Sequence, residues 1–151
     1  MKSKKLIIFS ILSILTICFF AGCTSSLGRS SAKINRDDYT KIMEKNKYGT
    51  DTQVVCSSYT TEDSDNDSHV LSTYTQYSSE EMAKEIFESI KEENSKSGNV
   101  EDKSTDDYSM YTHKEISSYT IYILDGNVII QIDSDTKDYK KADELIEELG
   151  Y

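Results

Sequence analysis

The sequence contains few of the residues from which catalytic and metal centres are usually built. Its 151 residues include two histidines, three cysteines and no tryptophan. Neither His69 nor His113 stands at the spacing of a Ser-His-Asp triad, a Cys-His pair or a zinc site. We therefore predict no catalytic residue, no cofactor and no metal ligand, and the sequence favours a protein that is not an enzyme.

Cysteine is too scarce for a disulfide framework. Cys18 and Cys23 lie in the first 23 residues, so Cys56 is the one thiol in the rest of the chain and an internal disulfide is excluded there. Cys56 follows Val54 and Val55 in a β-rich run, and no neighbour in sequence would activate it. We interpret Cys56 as a small buried hydrophobic residue and not as a nucleophile.

A hydrophobic run long enough to cross a membrane is also missing. Residues 6–20 are apolar except for two serines and one threonine, which falls short of the roughly 20 apolar residues that span a bilayer. Three lysines precede the run, and the small residues Ala21 and Gly22 follow it. This layout is typical of a cleaved secretory signal, so we predict a signal peptide over residues 1–22.

The end of this leader, Phe20-Ala21-Gly22-Cys23, resembles the lipobox of bacterial lipoproteins, although Phe20 stands where leucine is usual. The resemblance implies that Cys23 receives a diacylglycerol, becomes the first residue of the mature chain and anchors it at the extracytoplasmic face of the cell membrane. A lipid with two acyl chains holds a protein stably, whereas one chain is marginal. The alternatives are an ordinary signal peptide with an incidental Cys23, or an uncleaved anchor.

The charge of the chain excludes one class of partner. The formal net charge is −10, and loss of the three leader lysines leaves 14 basic and 27 acidic residues, a charge of −13. Nucleic acids and anionic lipids repel such a protein. We predict no nucleic-acid partner, and we leave the protein or small-ligand partner open.

Beyond the leader, the sequence predicts a tether and one domain. Residues 23–34 are small and polar and lack periodicity, which indicates a flexible tether. Residues 35–151 are long enough for a single domain with a modest core. Two stretches, Asn35 to Gly49 and Thr136 to Gly150, have helical spacing, and a capping box Ser78-x-x-Glu81 opens a third helix that Gly98 closes.

Five β-rich runs complete the pattern, at residues 52–60, 69–77, 108–112, 119–124 and 127–133. The predicted fold is α+β, with an antiparallel sheet of about five strands, helices packed on a face, and the order α-β-β-α-β-β-β-α after the signal helix. Asp125-Gly126 predicts a two-residue hairpin turn that places Ile123 opposite Val128 and Ile121 opposite Ile130. One face of this hairpin is then wholly apolar.

Two acidic clusters invite a metal-binding interpretation. Asp63, Asp65 and Asp67 copy the first three ligands of a calcium loop, but Ser68 and Tyr74 replace the glycine and the closing glutamate, so a solvated loop is favoured. A second set surrounds the start of the last helix, where carboxylates favour the positive end of the helix dipole: Asp133, Asp135 and Asp138.

These observations lead to one hypothesis and two alternatives. The hypothesis is a lipid-anchored extracytoplasmic lipoprotein that acts as a non-enzymatic binding or interaction module at the cell surface. The alternatives are a cell-envelope hydrolase that uses paired carboxylates and a weak cation-binding envelope protein. The element order and the closing Leu149-Gly150-Tyr151 are similar to those of small uncharacterised lipoproteins of low-GC Gram-positive bacteria, a resemblance that implies no activity.

Overall fold

The computed structural model describes residues 31–46, 48–49, 58–63 and 69–151, with side chains for 31–46 and 69–151. The predicted signal peptide, Cys23, Cys56, Asp65 and Asp67 lie outside the described residues. In the part of the chain that is described, no helix is both long enough and apolar enough to cross a membrane.

In the described residues, seven strands and three helices form an α+β fold. The strands are β1 Tyr48–Gly49, β2 Ser58–Asp63, β3 Val70–Gln76, β4 Asn99–Asp102, β5 Ser109–Lys114, β6 Ser118–Asp125 and β7 Val128–Asp135. They make one antiparallel sheet with the order β1-β2-β3-β7-β6-β5-β4. The helices are α1 Arg36–Lys45, α2 Glu80–Asn94 and α3 Tyr139–Leu149, and the 3₁₀ turn Thr136–Asp138 leads into α3.

The antiparallel α+β class is as predicted, and two short strands, β1 and β4, join the sheet at its edges. The described sheet has seven strands where about five were expected, because β1 and β4 were missed. β4 was placed in a loop since Val100 is its one apolar residue and Asn99, Glu101 and Asp102 are exposed. An edge strand with charged side chains needs no alternating pattern, because one side of it faces water.

The helices lie on both faces of the sheet, whereas we expected them on one. α1 and α3 cover what we call the two-helix face, and α2 covers the opposite, one-helix face. Both faces need cover because β6 and β7 carry large apolar residues on both sides. The two cores contain Tyr39, Met43, Tyr74, Ile121, Ile123, Ile130, Ile132, Leu145 and Leu149 on the two-helix face, and Tyr77, Ala83, Phe87, Tyr111, Tyr122 and Ile129 on the one-helix face.

The β6–β7 hairpin turns one residue later than predicted. Ile123 pairs with Ile130 and Asp125 with Val128, so the two-residue loop is Gly126-Asn127 and not Asp125-Gly126. Gly126 has a φ of 55°, in the left-handed region that a hairpin loop of this kind requires. The pairing is shifted by two residues, so the same side chains still form the apolar face.

Residues 31–34, which we call the strap, bind this turn. The backbone amide of Ser31 donates to Asn127 Oδ1 over 3.0 Å, and that of Lys33 donates to Asp125 Oδ2 over 2.7 Å. Ile34 is buried in the two-helix core. The predicted flexible tether therefore differs from the structure over its last four residues, because the turn supplies acceptors for their backbone amides.

The helix ends follow ordinary capping chemistry. Asn35 caps α1 as predicted, since its Oδ1 accepts from the amide of Asp38 over 3.0 Å. α2 starts one residue later than the proposed capping box, because Ser79 and not Ser78 accepts from the amide of Met82. α3 ends at Gly150, which has a φ of 88° as a left-handed cap.

Candidate functional site

The one-helix face is apolar under α2 and polar beside it. Side chains alternate between faces along each strand, so Thr120, Gln131 and Asp133 of β6 and β7 share this face with Tyr122 and Ile129. α2 packs on the tyrosine and the isoleucine. We call Thr120, Gln131 and Asp133 the polar stripe, and it is the candidate site.

Asp133 is at the centre of the polar stripe. Its Oδ1 accepts from Thr120 Oγ1 over 2.8 Å, and its Oδ2 accepts from Gln131 Nε2 over 2.7 Å. Burial raises the pKa of Asp133 from its ordinary 3.8 to about 6, although both hydrogen bonds act to lower the pKa. The Asp133 carboxyl group therefore changes between its protonated and its ionised form slightly below neutral pH.

Gln131 carries the unusual atom of the stripe. Its side chain is 3% exposed, and its Oε1 is the one buried side-chain nitrogen or oxygen without a hydrogen-bond partner among the residues described. A buried acceptor without a donor costs about 1–3 kcal/mol. Folded proteins contain few buried polar atoms without a hydrogen-bond partner, so Gln131 Oε1 needs an explanation.

A pair of tyrosines borders the stripe. The rings of Tyr111 and Tyr122 stack with centroids 4.8 Å apart and an interplanar angle of 20°. Asn94 Nδ2 at the end of α2 donates to the Tyr111 hydroxyl over 3.2 Å. Burial raises the pKa of both tyrosines, and the charge of Asp133 raises that of Tyr122 further. Both hydroxyls are therefore neutral at physiological pH and can donate hydrogen bonds.

The two histidines are not brought to a common site. His113 is buried, and its Nε2 lies 3.5 Å from Ser97 Oγ. In the sheet, His113 pairs with Thr120 and Thr120 pairs with Asp133, which separates the imidazole from the carboxylate by two strand spacings of about 4.8 Å each. His69 precedes β3, and its backbone amide donates to Asp138 Oδ2 over 3.3 Å.

Two of the three carboxylates predicted around the start of the last helix lie there, and one does not. Asp133 is inside β7, whereas Asp135 ends that strand and precedes the 3₁₀ turn that leads into α3. Asp138 occupies the cap position of α3, yet its carboxylate binds the His69 amide and no helix amide. Asp63 belongs to β2, whereas the rest of the proposed calcium loop up to Ser68 lies outside the described residues.

Metal binding finds no support in the described part of the chain. No three side chains of the types His, Cys, Asp or Glu come close enough there to hold a metal ion. The outer side of α2 borders a shallow groove of about 910 Å³, and Lys84 and Lys91 interrupt the four glutamates that line it. The four are Glu81, Glu85, Glu88 and Glu92.

Sequence reasoning missed the polar stripe. Gln131 was assigned to a mixed hairpin face, and Asp133 was interpreted as a helix-start carboxylate. The available signal was the alternation of β7, which places Gln131 and Asp133 on the same side as Ile129. Sequence alone does not show which side chains of that face α2 leaves uncovered.

Comparison with known proteins yields a likeness of fold. No protein-family model and no curated protein matches the sequence. The crystal structure of a GTP binding regulator from Thermotoga maritima superposes with a TM-score of 0.50, covering 77% of this chain and 84% of that chain at 10% sequence identity. At this identity the likeness concerns the fold alone.

Proposed function

We propose that the chain is an exported lipoprotein that a diacylglycerol on Cys23 anchors at the extracytoplasmic face of the cell membrane. The support is the leader itself, in which a basic start, a short apolar run and the sequence Phe20-Ala21-Gly22-Cys23 occur in order. The charge of −13 after cleavage suits a domain that stays in water beside the membrane.

Replacement of Cys23 tests the anchor. In cells fed labelled palmitate, Cys23→Ser is expected to lose the label and to leave the membrane fraction. Cys56→Ser is the matched control, since it removes the other thiol of the mature chain and is expected to keep both the label and the membrane location. Retention of Cys23→Ser in the membrane contradicts the proposal.

The anchored domain serves as a non-enzymatic binding module, and Gln131 Oε1 is the observation that carries this role. The atom is a buried acceptor without a donor, and it lies on the side chain that binds the Asp133 carboxylate. Asp133 is half-buried, so the stripe reaches the surface beside it. The ionisable Asp133 carboxylate, next to the Gln131 acceptor that lacks a donor, suits a ligand group that carries N–H donors and a positive charge. An ammonium group is the simplest such ligand.

NMR titration of the full chain in detergent micelles tests this site. Ethylammonium chloride is expected to shift the Gln131 side-chain amide signals in a saturable manner, whereas tetramethylammonium chloride, which has the charge but no N–H donor, is not. Gln131→Leu should weaken binding at least about tenfold, the effect of 1.4 kcal/mol. Glu88→Gln on the exposed side of α2 is the control and should leave binding unchanged. Equal shifts with both salts contradict the site.

One geometric relationship favours a second candidate, a hydrolase with paired carboxylates. Asp133 and Asp135 lie on the same face of β7, two residues apart, so their Cα atoms are about 7 Å apart. Carboxyl groups that keep this spacing fall in the range for a general acid and a general base that share a water molecule, and the raised pKa of Asp133 suits the acid. Hydrolysis of envelope glycan that both Asp133→Asn and Asp135→Asn abolish would favour this candidate over the binding module.

A further inference from the structure

We propose that the outer edge of β4 binds a basic, extended segment of a partner protein, which joins the sheet as an added strand beside α2. This site is separate from the polar stripe, because β5 and β6 lie between β4 and β7. It requires neither the ammonium site nor the lipid anchor.

The backbone of β4 is paired on one side only. β4 is the last strand at one end of the described sheet, and the amide of Lys103, next to it, donates to the Met110 carbonyl of β5 over 2.8 Å. In an antiparallel pair, residues that exchange hydrogen bonds alternate with residues whose amides and carbonyls face away. The register therefore directs the amides and carbonyls of Val100 and Asp102 outward, where an extended peptide can bind them.

A groove lies along this edge. Its volume is about 910 Å³, and its lining combines Val100 of β4 with the outer side of α2. A strand added to β4 lies about 4.8 Å from it, and every second side chain of that strand points to the same face of the sheet as Val100. Those side chains would enter the groove and meet α2.

Charge defines the composition of the segment that fits this groove. Residues 80–107, which include α2 and β4, carry ten carboxylates and four lysines, a net charge of −6. Lys91 is paired with Asp102, and Lys96 is paired with two glutamates of α2. Three carboxylates that line the groove have no ion-pair partner among the described residues, namely Glu81, Glu85 and Glu88. A strand with basic side chains on its groove side matches this surface.

The same charges disfavour a second copy of the chain at this edge. Two β4 edges that pair about a two-fold axis place both α2 helices on the same face of the joined sheet, with their glutamates toward each other. Like charges in such positions destabilise the pairing. Charged edge strands protect natural sheets from pairing with identical copies in this way, and a basic strand does not meet that repulsion.

Amide hydrogen exchange of the full chain in non-ionic detergent micelles tests the site. The probe is the peptide acetyl-Lys-Thr-Lys-Thr-Lys-Thr-Lys-amide, in which threonine favours an extended strand and all lysines share one face. At nine-tenths occupancy the exchange of the Val100 and Asp102 amides is expected to slow about tenfold. The amides of Asn99 and Glu101 are the internal control, because they already face β5 and should not change.

Two comparisons separate strand pairing from charge attraction alone. The same peptide with every backbone nitrogen methylated keeps its charge but loses its backbone donors, so it should not protect Val100 or Asp102. Glu88→Lys reverses a charge in the groove and is expected to raise the Kd of the unmodified peptide at least about threefold more than Glu144→Lys does. Glu144 is the matched control, since it is an exposed glutamate of α3.

Three results would overturn the site. The first is equal binding of the methylated and unmodified peptides, and the second is the absence of protection at Val100 and Asp102 with either peptide. The third is protection of these two amides without peptide that increases with protein concentration, because a second copy of the chain would then occupy the edge.

Discussion

The backbone amide of Lys33 donates to the Asp125 carboxylate over 2.7 Å, although 92 positions separate the two residues in sequence. Tyr151, the last residue of the chain, donates its hydroxyl to the same oxygen. Asp125 is 9% exposed and therefore holds a carboxylate at the edge of the core. Its three-way contact joins the strap, the β6–β7 turn and the C-terminus.

Removal of the Asp125 carboxylate should release both of its partners. Asp125→Ala leaves the Lys33 amide and the Tyr151 hydroxyl without this acceptor, and we expect the free energy of unfolding to fall by about 2–3 kcal/mol. Urea denaturation monitored by circular dichroism measures the change. Asp106→Ala, in an exposed loop, is the control and should stay within about 0.5 kcal/mol of the wild type. Equal effects of the two substitutions would contradict the role of Asp125.

The two left-handed glycines should differ in their tolerance of a methyl group. In Gly126→Ala and Gly150→Ala the alanine must adopt a positive φ, which lowers the free energy of unfolding by about 1–2 kcal/mol in each variant. Only the first also forces a Cβ against Ser31, since the nearest atom at Gly150 is Lys33 Nζ at 3.8 Å. We expect Gly126→Ala to be the more destabilised variant and to be cleaved faster by trypsin after Lys33. Identical unfolding and cleavage in the two variants would exclude steric contact with the strap.

Asp133 should make stability depend on pH in the direction opposite to that of a salt-bridged carboxylate. Its pKa in the folded protein is about 6, above the ordinary 3.8, so the folded state binds the proton more tightly. The contribution of Asp133 is then fully present below about pH 4 and falls by about 3 kcal/mol as the pH rises through 6. The difference in unfolding free energy between wild type and Asp133→Asn, measured by urea denaturation from pH 4 to pH 7, isolates this group. A difference that does not change with pH contradicts the raised pKa.

Phe87 should be the main contact between α2 and the sheet. Its side chain is 1% exposed and meets Tyr111 edge to face with centroids 5.1 Å apart. Phe87→Ala is expected to lower the free energy of unfolding by about 3–5 kcal/mol through the cavity it leaves. Glu88→Ala, the next residue on the exposed side of the helix, should change stability little. Chemical denaturation of both variants provides the comparison, and a small loss for Phe87→Ala would show that α2 is held by other contacts.

Patterns of apolar residues predicted most of the fold. The three helices and strands β3, β5, β6 and β7 were predicted because each buries a stripe or a face, and such burial leaves a period in the sequence. The run predicted at 52–60 overlaps β2 at residues 58–60, and its remainder lies outside the described residues. β4 leaves no such period, since three of its four residues are exposed. The hairpin register was also missed, because Asp125-Gly126 and Gly126-Asn127 are both suitable loops. In the structure the strap binds Asp125 and Asn127, the residues on the two sides of Gly126.

The candidate site was less predictable than the fold. The sequence shows that Gln131 and Asp133 alternate with isoleucines, but the uncovered part of their face depends on where α2 lies across the sheet. The missing partner of Gln131 Oε1 is likewise a property of the packed structure. The raised pKa of Asp133 arises from burial, and alternation along a strand does not specify the depth of burial.

Intact-mass and N-terminal peptide analysis of the protein from its native membrane tests the central claim most directly. The account predicts a chain that begins at Cys23, lacks residues 1–22 and carries a diacylglycerol on the Cys23 sulfur. A leader that is still attached, or a Cys23 thiol without lipid, would contradict it.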